Sequence, residues 1–261
     1  MLLNIIILYS LLIPWRDLTI MSKLSQMSYG YRKYIEPTSV EYEQKEVLVA
    51  EHKPESNVIT FIENDKDLEC IIYKNIKEKK YTIIFRGTES QEDWKNNLNI
   101  LKLELKDGIK VHRGYYNQLM YNNSYDTIKD VVHKCNKKNF EWWLTGHSSG
   151  GSLAIMCSYL LSQDFKDKNF NVVSLANPKV GGSLFAKTYD KINNIVCWRV
   201  VYDKDVVPMM PPMGYKHVGE LIKLVPKHKK KRRITNIILN HHINNYVAGL
   251  MRISNPNKTI F

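Results

Sequence analysis

Cysteine is scarce in this chain, and the little there is has no spacing that chemistry could use. Cys70, Cys135, Cys157 and Cys197 fall inside predicted strands or helices, without the short Cys/His separations of a metal centre or the paired pattern of a disulfide scaffold. Free, buried thiols are expected, and with them a reducing compartment or membrane association and no metal or organic cofactor. No stretch rich in Pro, Gly or Ser divides the 261 residues, so residues 1–261 are expected to form a single domain. A membrane-spanning run of about 20 apolar residues is missing too. The nearest thing is MLLNIIILYSLLI at the start, which is the size of a signal h-region but has neither basic residues before it nor an Ala-x-Ala site after it. Residues 1–16 are therefore read as a signal or anchor segment, or as an apolar stretch packed on the domain. Acidic residues are in deficit: 26 Asp plus Glu against 38 Lys plus Arg give a formal charge of +12. That balance favours anionic partners such as acidic lipid or nucleic acid, and nothing resembling a nucleic-acid fold accompanies it.

What is present is ordinary for a globular protein, 44% apolar and 25% charged, enough to build a sizeable core. Residues 17–31 place Leu18, Met21, Leu24, Ser25 and Ser28 on one helical face before a Tyr29-Gly30 stop. Strands are predicted at 47–50, 58–62, 68–73 and 81–85, joined by short turns that imply antiparallel pairing. Beyond Val111 strands and helices alternate. A helix is predicted over 115–135, with Ile128, Val131, Val132 and Cys135 at i, i+3, i+4 and i+7, and strands at 142–145, 172–176 and 195–201. The alternation implies an α/β fold, a mostly parallel sheet covered by helices on both faces, with an antiparallel flank on its N-terminal side.

The informative stretch is 140–161, FEWWLTGHSSGGSLAIMCSYLL. A short apolar run ends at Gly146, and Leu153, Ala154, Cys157, Leu160 and Leu161 then recur at helical spacing. Between them stands Gly146-His147-Ser148-Ser149-Gly150, a GxSxG turn in the strand-to-helix context that lifts a serine hydroxyl clear of a sheet. Ser148 is the candidate nucleophile. A second strand ends in Phe85-Arg86-Gly87-Thr88, where Thr88 can offer a backbone N–H and a hydroxyl to a developing oxyanion, with the N–H of Ser149 as the second donor. After it, residues 92–98 read as a short polar helix bearing Trp94, the pattern of a movable lid.

A serine nucleophile needs an imidazole to take its proton and a carboxylate to fix the imidazole, in the chain order Ser, Asp, His for this turn type. Asp205 sits where a strand gives way to a Pro-rich loop, with Asp203 two residues earlier as the alternative. Among the histidines, His147 belongs to the turn itself, His112 fits a packing role, His217 falls on a predicted strand and His228 in a basic run. The doublet His241-His242, opening an apolar-periodic helix, supplies the candidate base. The basic run itself, PKHKKKRR at 226–233, is read as a solvated loop, an anionic-membrane patch or a nuclear localisation signal.

In chain order, LSQMSYGY at 24–31, FRGT with Asp93-Trp94 and Asn97-Leu98, Val111-His112-Arg113-Gly114-Tyr115, the GHSSG turn, Asn177-Pro178-Lys179-Val180-Gly181 and RVVYDKDVVPMMPP at 199–212 together resemble the class 3 lipases, the fungal triacylglycerol lipases and related acylhydrolases of the α/β-hydrolase fold. The resemblance implies Thr88 as the oxyanion residue, residues 89–97 as the lid and Asp205 as the triad acid. The family's His-x-x-x-x-Tyr-x-x-x-Leu pattern matches His241, Tyr246 and Leu250, which selects His241 over His242. This chain departs from the family in its unpaired cysteines, in Ser149 where a bulky apolar residue is common, and in the basic run. The implied function is hydrolysis of glycerolipid esters at a membrane or lipid-droplet surface. The alternatives are a phospholipase A1, a soluble carboxylesterase and a non-catalytic lipid-binding protein on the same fold.

Overall fold

The computed structural model describes residues 13–30, 58–88, 101–203, 205–225 and 240–254. The predicted strand at 47–50, the lid segment 89–97 and the basic run 226–233 lie outside the described residues, as does the chain up to residue 12.

The helices are α1 (Trp15–Ser28), α2 (Arg113–Met120), α3 (Ser124–Lys134), α4 (Ser149–Asp164), α5 (Ser183–Tyr189) and α6 (Ile243–Ser254). The strands are β1 (Val58–Glu63), β2 (Glu69–Asn75), β3 (Lys80–Phe85), β4 (Lys102–Glu104), β5 (Lys110–His112), β6 (Glu141–His147), β7 (Phe170–Leu175), β8 (Ile195–Tyr202) and β9 (Glu220–Leu224). Seven of them form one sheet in the order β1-β2-β3-β6-β7-β8-β9. The first two pairings are antiparallel and every pairing from β3 to β9 is parallel. The antiparallel flank and parallel centre are thus where the strand spacing put them. The hairpins β1-β2 and β2-β3 need only short turns, whereas each parallel step requires a crossover.

Both faces of the sheet are covered, which is why β3 and β6 read as nearly continuous apolar runs. On one face Ile83, Phe85, Leu144 and Val172 pack with Leu119, Ile128, Leu153 and Phe185 from α2 to α5. On the other, Trp143, Val173, Val200 and Ile222 meet Leu18 and Met21 of α1 and Tyr246, Val247 and Leu250 of α6. Helix α4 lies against the sheet with Leu153 to Tyr159 all buried, so its apolar residues surround it instead of forming one stripe. Three of the cysteines are buried and Cys135 half-buried, and all four are free. No helix among the described residues is long and apolar enough to cross a membrane.

Two sequence expectations are corrected. The single helix over 115–135 is two helices broken at Tyr121–Asn123, where Asn122 and Asn123 adopt φ of 52° and 56°. Asparagine enters this left-handed region more readily than most residues, and a periodicity count does not detect it. His217 is not on a strand, because β9 starts only at Glu220.

Lys80 is buried at the start of β3, where its ammonium is bonded to Asp17 of α1 and lies 4.8 Å from the centre of the Trp143 ring. The pair ties α1 to the sheet. Asp17→Ala would strand a buried ammonium, so it is expected to lower the unfolding free energy by about 3 kcal/mol, measured by urea titration. Lys80→Met, which leaves a partly solvated carboxylate, should cost less; the opposite ranking would refute this account of the pair.

Candidate active site

Strand β6 ends at His147 and α4 begins at Ser149, so Ser148 alone makes the turn, at φ 59° and ψ −129°. A non-glycine residue held there stores backbone strain on the order of 1–3 kcal/mol. The strain persists because the neighbours leave no alternative path. A Cβ on Gly150 would lie 2.3 Å from the carbonyl oxygen of Phe85, and one on Gly146 2.3 Å from the carbonyl carbon of Gly150. Only glycine allows strand, turn and helix to approach that closely. The hydroxyl of Ser148 emerges at the N-terminus of α4, in the positive end of the helix dipole.

His241 reaches this hydroxyl from the helical turn just before α6. Its Nε2 stands 2.9 Å from Ser148 Oγ and its Nδ1 2.9 Å from Asp205 Oδ2. Asp205 follows the C-terminal end of β8 and is 5% exposed. Its Oδ1 accepts from the backbone N–H of Val207 at 2.9 Å, and its Oδ2 from the Tyr246 hydroxyl at 2.5 Å. Burial, followed by the Asp205 charge, raises the Tyr246 phenol far above its ordinary value, so it stays a donor.

The other candidates fall elsewhere. Asp203 pairs with Lys223 at 3.0 Å. His242 is exposed and its Nδ1 accepts from the Asn244 N–H. His112 caps α2, its Nδ1 accepting from the N–H groups of Gly114 and Tyr115, and His217 donates from Nε2 to the Pro208 carbonyl at 2.6 Å. His147 supports the Ser148–His241–Asp205 arrangement from below. Its Nε2 donates to the backbone carbonyl of His241 at 2.8 Å, which leaves Nδ1 to accept the Tyr29 hydroxyl at 2.8 Å. Tyr29 and Tyr246 are the contributors that residue-by-residue reading missed. Tyr246 stood in the sequence only as a pattern position, and nothing in the spacing of Tyr29 connects it with a residue 118 positions away.

Thr88 follows β3 beside the turn, held there by Arg86, whose guanidinium reaches both Glu69 carboxylate oxygens at 2.7 and 2.6 Å. The Thr88 N–H donates to Ser149 Oγ at 3.0 Å, and the two hydroxyl oxygens are 3.1 Å apart. The expected oxyanion donors are therefore adjacent, with the Ser149 hydroxyl occupying the place where a substrate oxygen would accept from Thr88. Among the described residues no group of His, Cys, Asp and Glu could hold a metal ion.

A parallel-centred sheet, a serine on a strained strand-to-helix turn and a histidine bridging it to a buried aspartate define the class of architecture: this is the α/β-hydrolase fold. Residues 82–215 match the family model for class 3 lipase. The chain belongs to the class 3 lipase family. It is 28% identical over 163 residues to a lipase of Rhizomucor miehei, across 59% of this chain and 44% of that protein. It is 27% identical over 163 residues to phospholipase A1-II 4 of Oryza sativa subsp. japonica, across 52% of this chain and 41% of the relative. The chain thus spans less than half the length of these curated relatives. The solved lipase from Rhizopus microsporus var. chinensis superposes with a TM-score of 0.66 at 23% identity, covering 89% of this chain and 85% of that one. At that identity the likeness establishes the fold.

Two buried imidazoles, His112 and His147, and the half-buried His217 give the fold a pH dependence. Burial holds His112 and His217 down to about 4, and burial together with the neighbouring His241 holds His147 well below its ordinary value. The unfolded chain binds protons at these groups below about 6.5 and the folded chain does not, so stability falls as pH drops through that value. Between about pH 6.5 and 5 the loss should approach about 1.4 kcal/mol per pH unit for each histidine. Urea unfolding across that range tests it, and His112→Asn, which keeps a helix-capping side chain, should flatten the slope by about one part in three. A slope unchanged by that substitution would remove His112 from the account.

Proposed function

We propose that this chain is a serine-dependent hydrolase of glycerolipid acyl esters, with the chemistry of a triacylglycerol lipase. The observation that carries the reading is the unbroken chain from Ser148 Oγ through His241 to Asp205, with both contacts at 2.9 Å. His241 takes the proton as the Ser148 oxygen attacks the ester carbonyl, and returns it to the departing glyceride oxygen. Asp205 fixes the ring so that Nε2 is the atom facing serine, and stabilises the imidazolium while it lasts. The oxyanion is received by the Thr88 and Ser149 donors at the helix N-terminus. Water, activated by the same imidazole, then releases the acyl group. The resemblance to proteins named lipase supports an ester-bearing lipid as substrate. Phospholipid ester is the second reading, favoured by the rice relative named as a phospholipase A1.

A lipid panel assayed with the purified chain separates these substrates. Ser148→Ala should abolish turnover and labelling by a fluorophosphonate, with folding intact. His241→Ala should lower kcat by about 10⁴ or more, and His242→Ala far less. Labelling of the Ser148→Ala variant, or the reverse ranking of the two histidines, would overturn the assignment.

Thr88→Val keeps the backbone donor and the shape of the side chain but removes the hydroxyl. A fall in kcat by roughly 10 to 10³ is expected for the loss of one donor aimed at developing charge. An unchanged kcat would confine Thr88 to its backbone N–H.

A further inference from the structure

The loop that begins just after Asp205 carries more exposed apolar surface than a water-facing segment should. Met209 is 65% exposed and Met213 89%, and Leu101, across the groove from Met213, is 50% exposed. The loop is nevertheless fixed in place. The Lys179 ammonium donates to the Pro211 carbonyl at 3.0 Å and its backbone N–H to the Met210 carbonyl at 2.8 Å, while His217 holds the Pro208 carbonyl. Lys102 donates to the Gly214 carbonyl at 2.6 Å and lies 4.6 Å from the centre of the Tyr215 ring. Three prolines, Pro208, Pro211 and Pro212, stiffen the segment further. Two large apolar side chains are thus presented outward at little further cost in ordering.

The setting of these side chains is cationic. A groove of about 450 Å³ is lined by Leu101, Lys102, Glu104, Lys110, Met213 and Tyr215. Its one carboxylate, Glu104, is partnered by Lys110 at 3.5 Å. Residues 206–219 contain no acid, and Lys216 stands at the loop's far end. Apolar side chains projecting from a fixed rim with lysines behind them suit a surface whose interior is hydrocarbon and whose headgroups are negative. The loop follows β8 and the Lys179 loop follows β7, so the patch lies on the same edge of the sheet as Ser148. A surface docked there would meet the catalytic edge.

We propose that the Pro208–Tyr215 loop and the β4-β5 hairpin form a docking surface for an anionic lipid bilayer, with Met209 and Met213 entering the acyl layer and Lys102, Lys110 and Lys216 facing the headgroups. The purpose of the docking rests on the ester-hydrolase reading, but the test reads binding without turnover and fails separately from it. The Ser148→Ala form of the 261-residue chain is floated with vesicles of phosphatidylcholine, with and without phosphatidylglycerol. In that background Met213→Asp should lower partitioning about tenfold or more on both kinds of vesicle, since the side chain that would enter the acyl layer becomes a charge. Lys110→Gln and Lys216→Gln should each lower it about fivefold on the acidic vesicles alone, and that difference should vanish at high salt. Met213→Gln serves as a milder variant, and an unchanged thermal midpoint for each variant shows that the fold is kept. A parent chain that does not float, or Met213→Asp and Met209→Asp variants that float like the parent, would overturn the proposal. So would binding to acidic vesicles that is lost on neutralising 229–233 yet indifferent to both methionines.

Discussion

The site depends on how closely β3, β6 and the start of α4 can approach one another. Phe85 and Gly146 are register partners on adjacent parallel strands, and Gly150 of α4 sits on the Phe85 carbonyl with no room for a Cβ. That crossing fixes where α4 starts, and so fixes the serine on its strained turn. It also brings the end of β3 alongside the turn, which is why Thr88 and Ser149, 61 residues apart, are in hydrogen-bond contact. A shift by one residue in the β3-β6 register would turn the side chains of β3 to the opposite faces and move Thr88 away from the serine. The buried faces on both sides of the sheet make such a slip costly, so the packing of the core and the placing of the candidate site residues are one constraint.

Two hydrogen-bonded arms hold the His241 ring within that frame. One runs from the Val207 N–H and the Tyr246 hydroxyl through Asp205 to Nδ1. The other runs from the Tyr29 hydroxyl through His147 to the backbone carbonyl of His241 itself. The first sets the ring's tautomer and orientation, the second its height above the sheet. Neutrality of His147 is part of the design, since a cation there would oppose the imidazolium that the proposed chemistry forms at His241, 4.7 Å away between ring centres. Burial secures that neutrality without any charged partner.

The sequence made β1, β2, β3, β6, β7, β8 and the elbow legible because each rests on local signals: apolar period, a glycine-flanked serine, a strand ending in FRGT; β4, β5 and β9 carried no such signal. Asp205 and the histidine doublet were legible as positions at the ends of elements, whereas the choice between His241 and His242 came from family resemblance. Periodicity failed at Asn122 and Asn123, where two left-handed residues break a helix without disturbing its apolar spacing. It failed again at His217, whose partner is the Pro208 carbonyl in the 3-10 turn after Asp205. The Tyr29–His147 contact was invisible for a different reason. It spans 118 residues and exists only because α1 packs across β6, a tertiary fact that no window of sequence contains.

Ser149 shows what a single departure from the family pattern can do to energetics. Its hydroxyl accepts the Thr88 N–H in the resting site, so this half-buried donor is not left unpaired. On the proposed chemistry, a substrate carbonyl entering the hole replaces one neutral hydrogen bond by another and gains little. The oxyanion gains more, because a charge-assisted bond is roughly twice as strong as a neutral one. That difference between oxyanion and bound ester is what accelerates a reaction; it comes from the Thr88 donor, since displacing the Ser149 hydroxyl costs both species the same. A bulky apolar side chain at 149 would leave the Thr88 donor open to both, whereas the serine in this chain weakens the binding of ester and oxyanion alike and leaves the step between them unchanged.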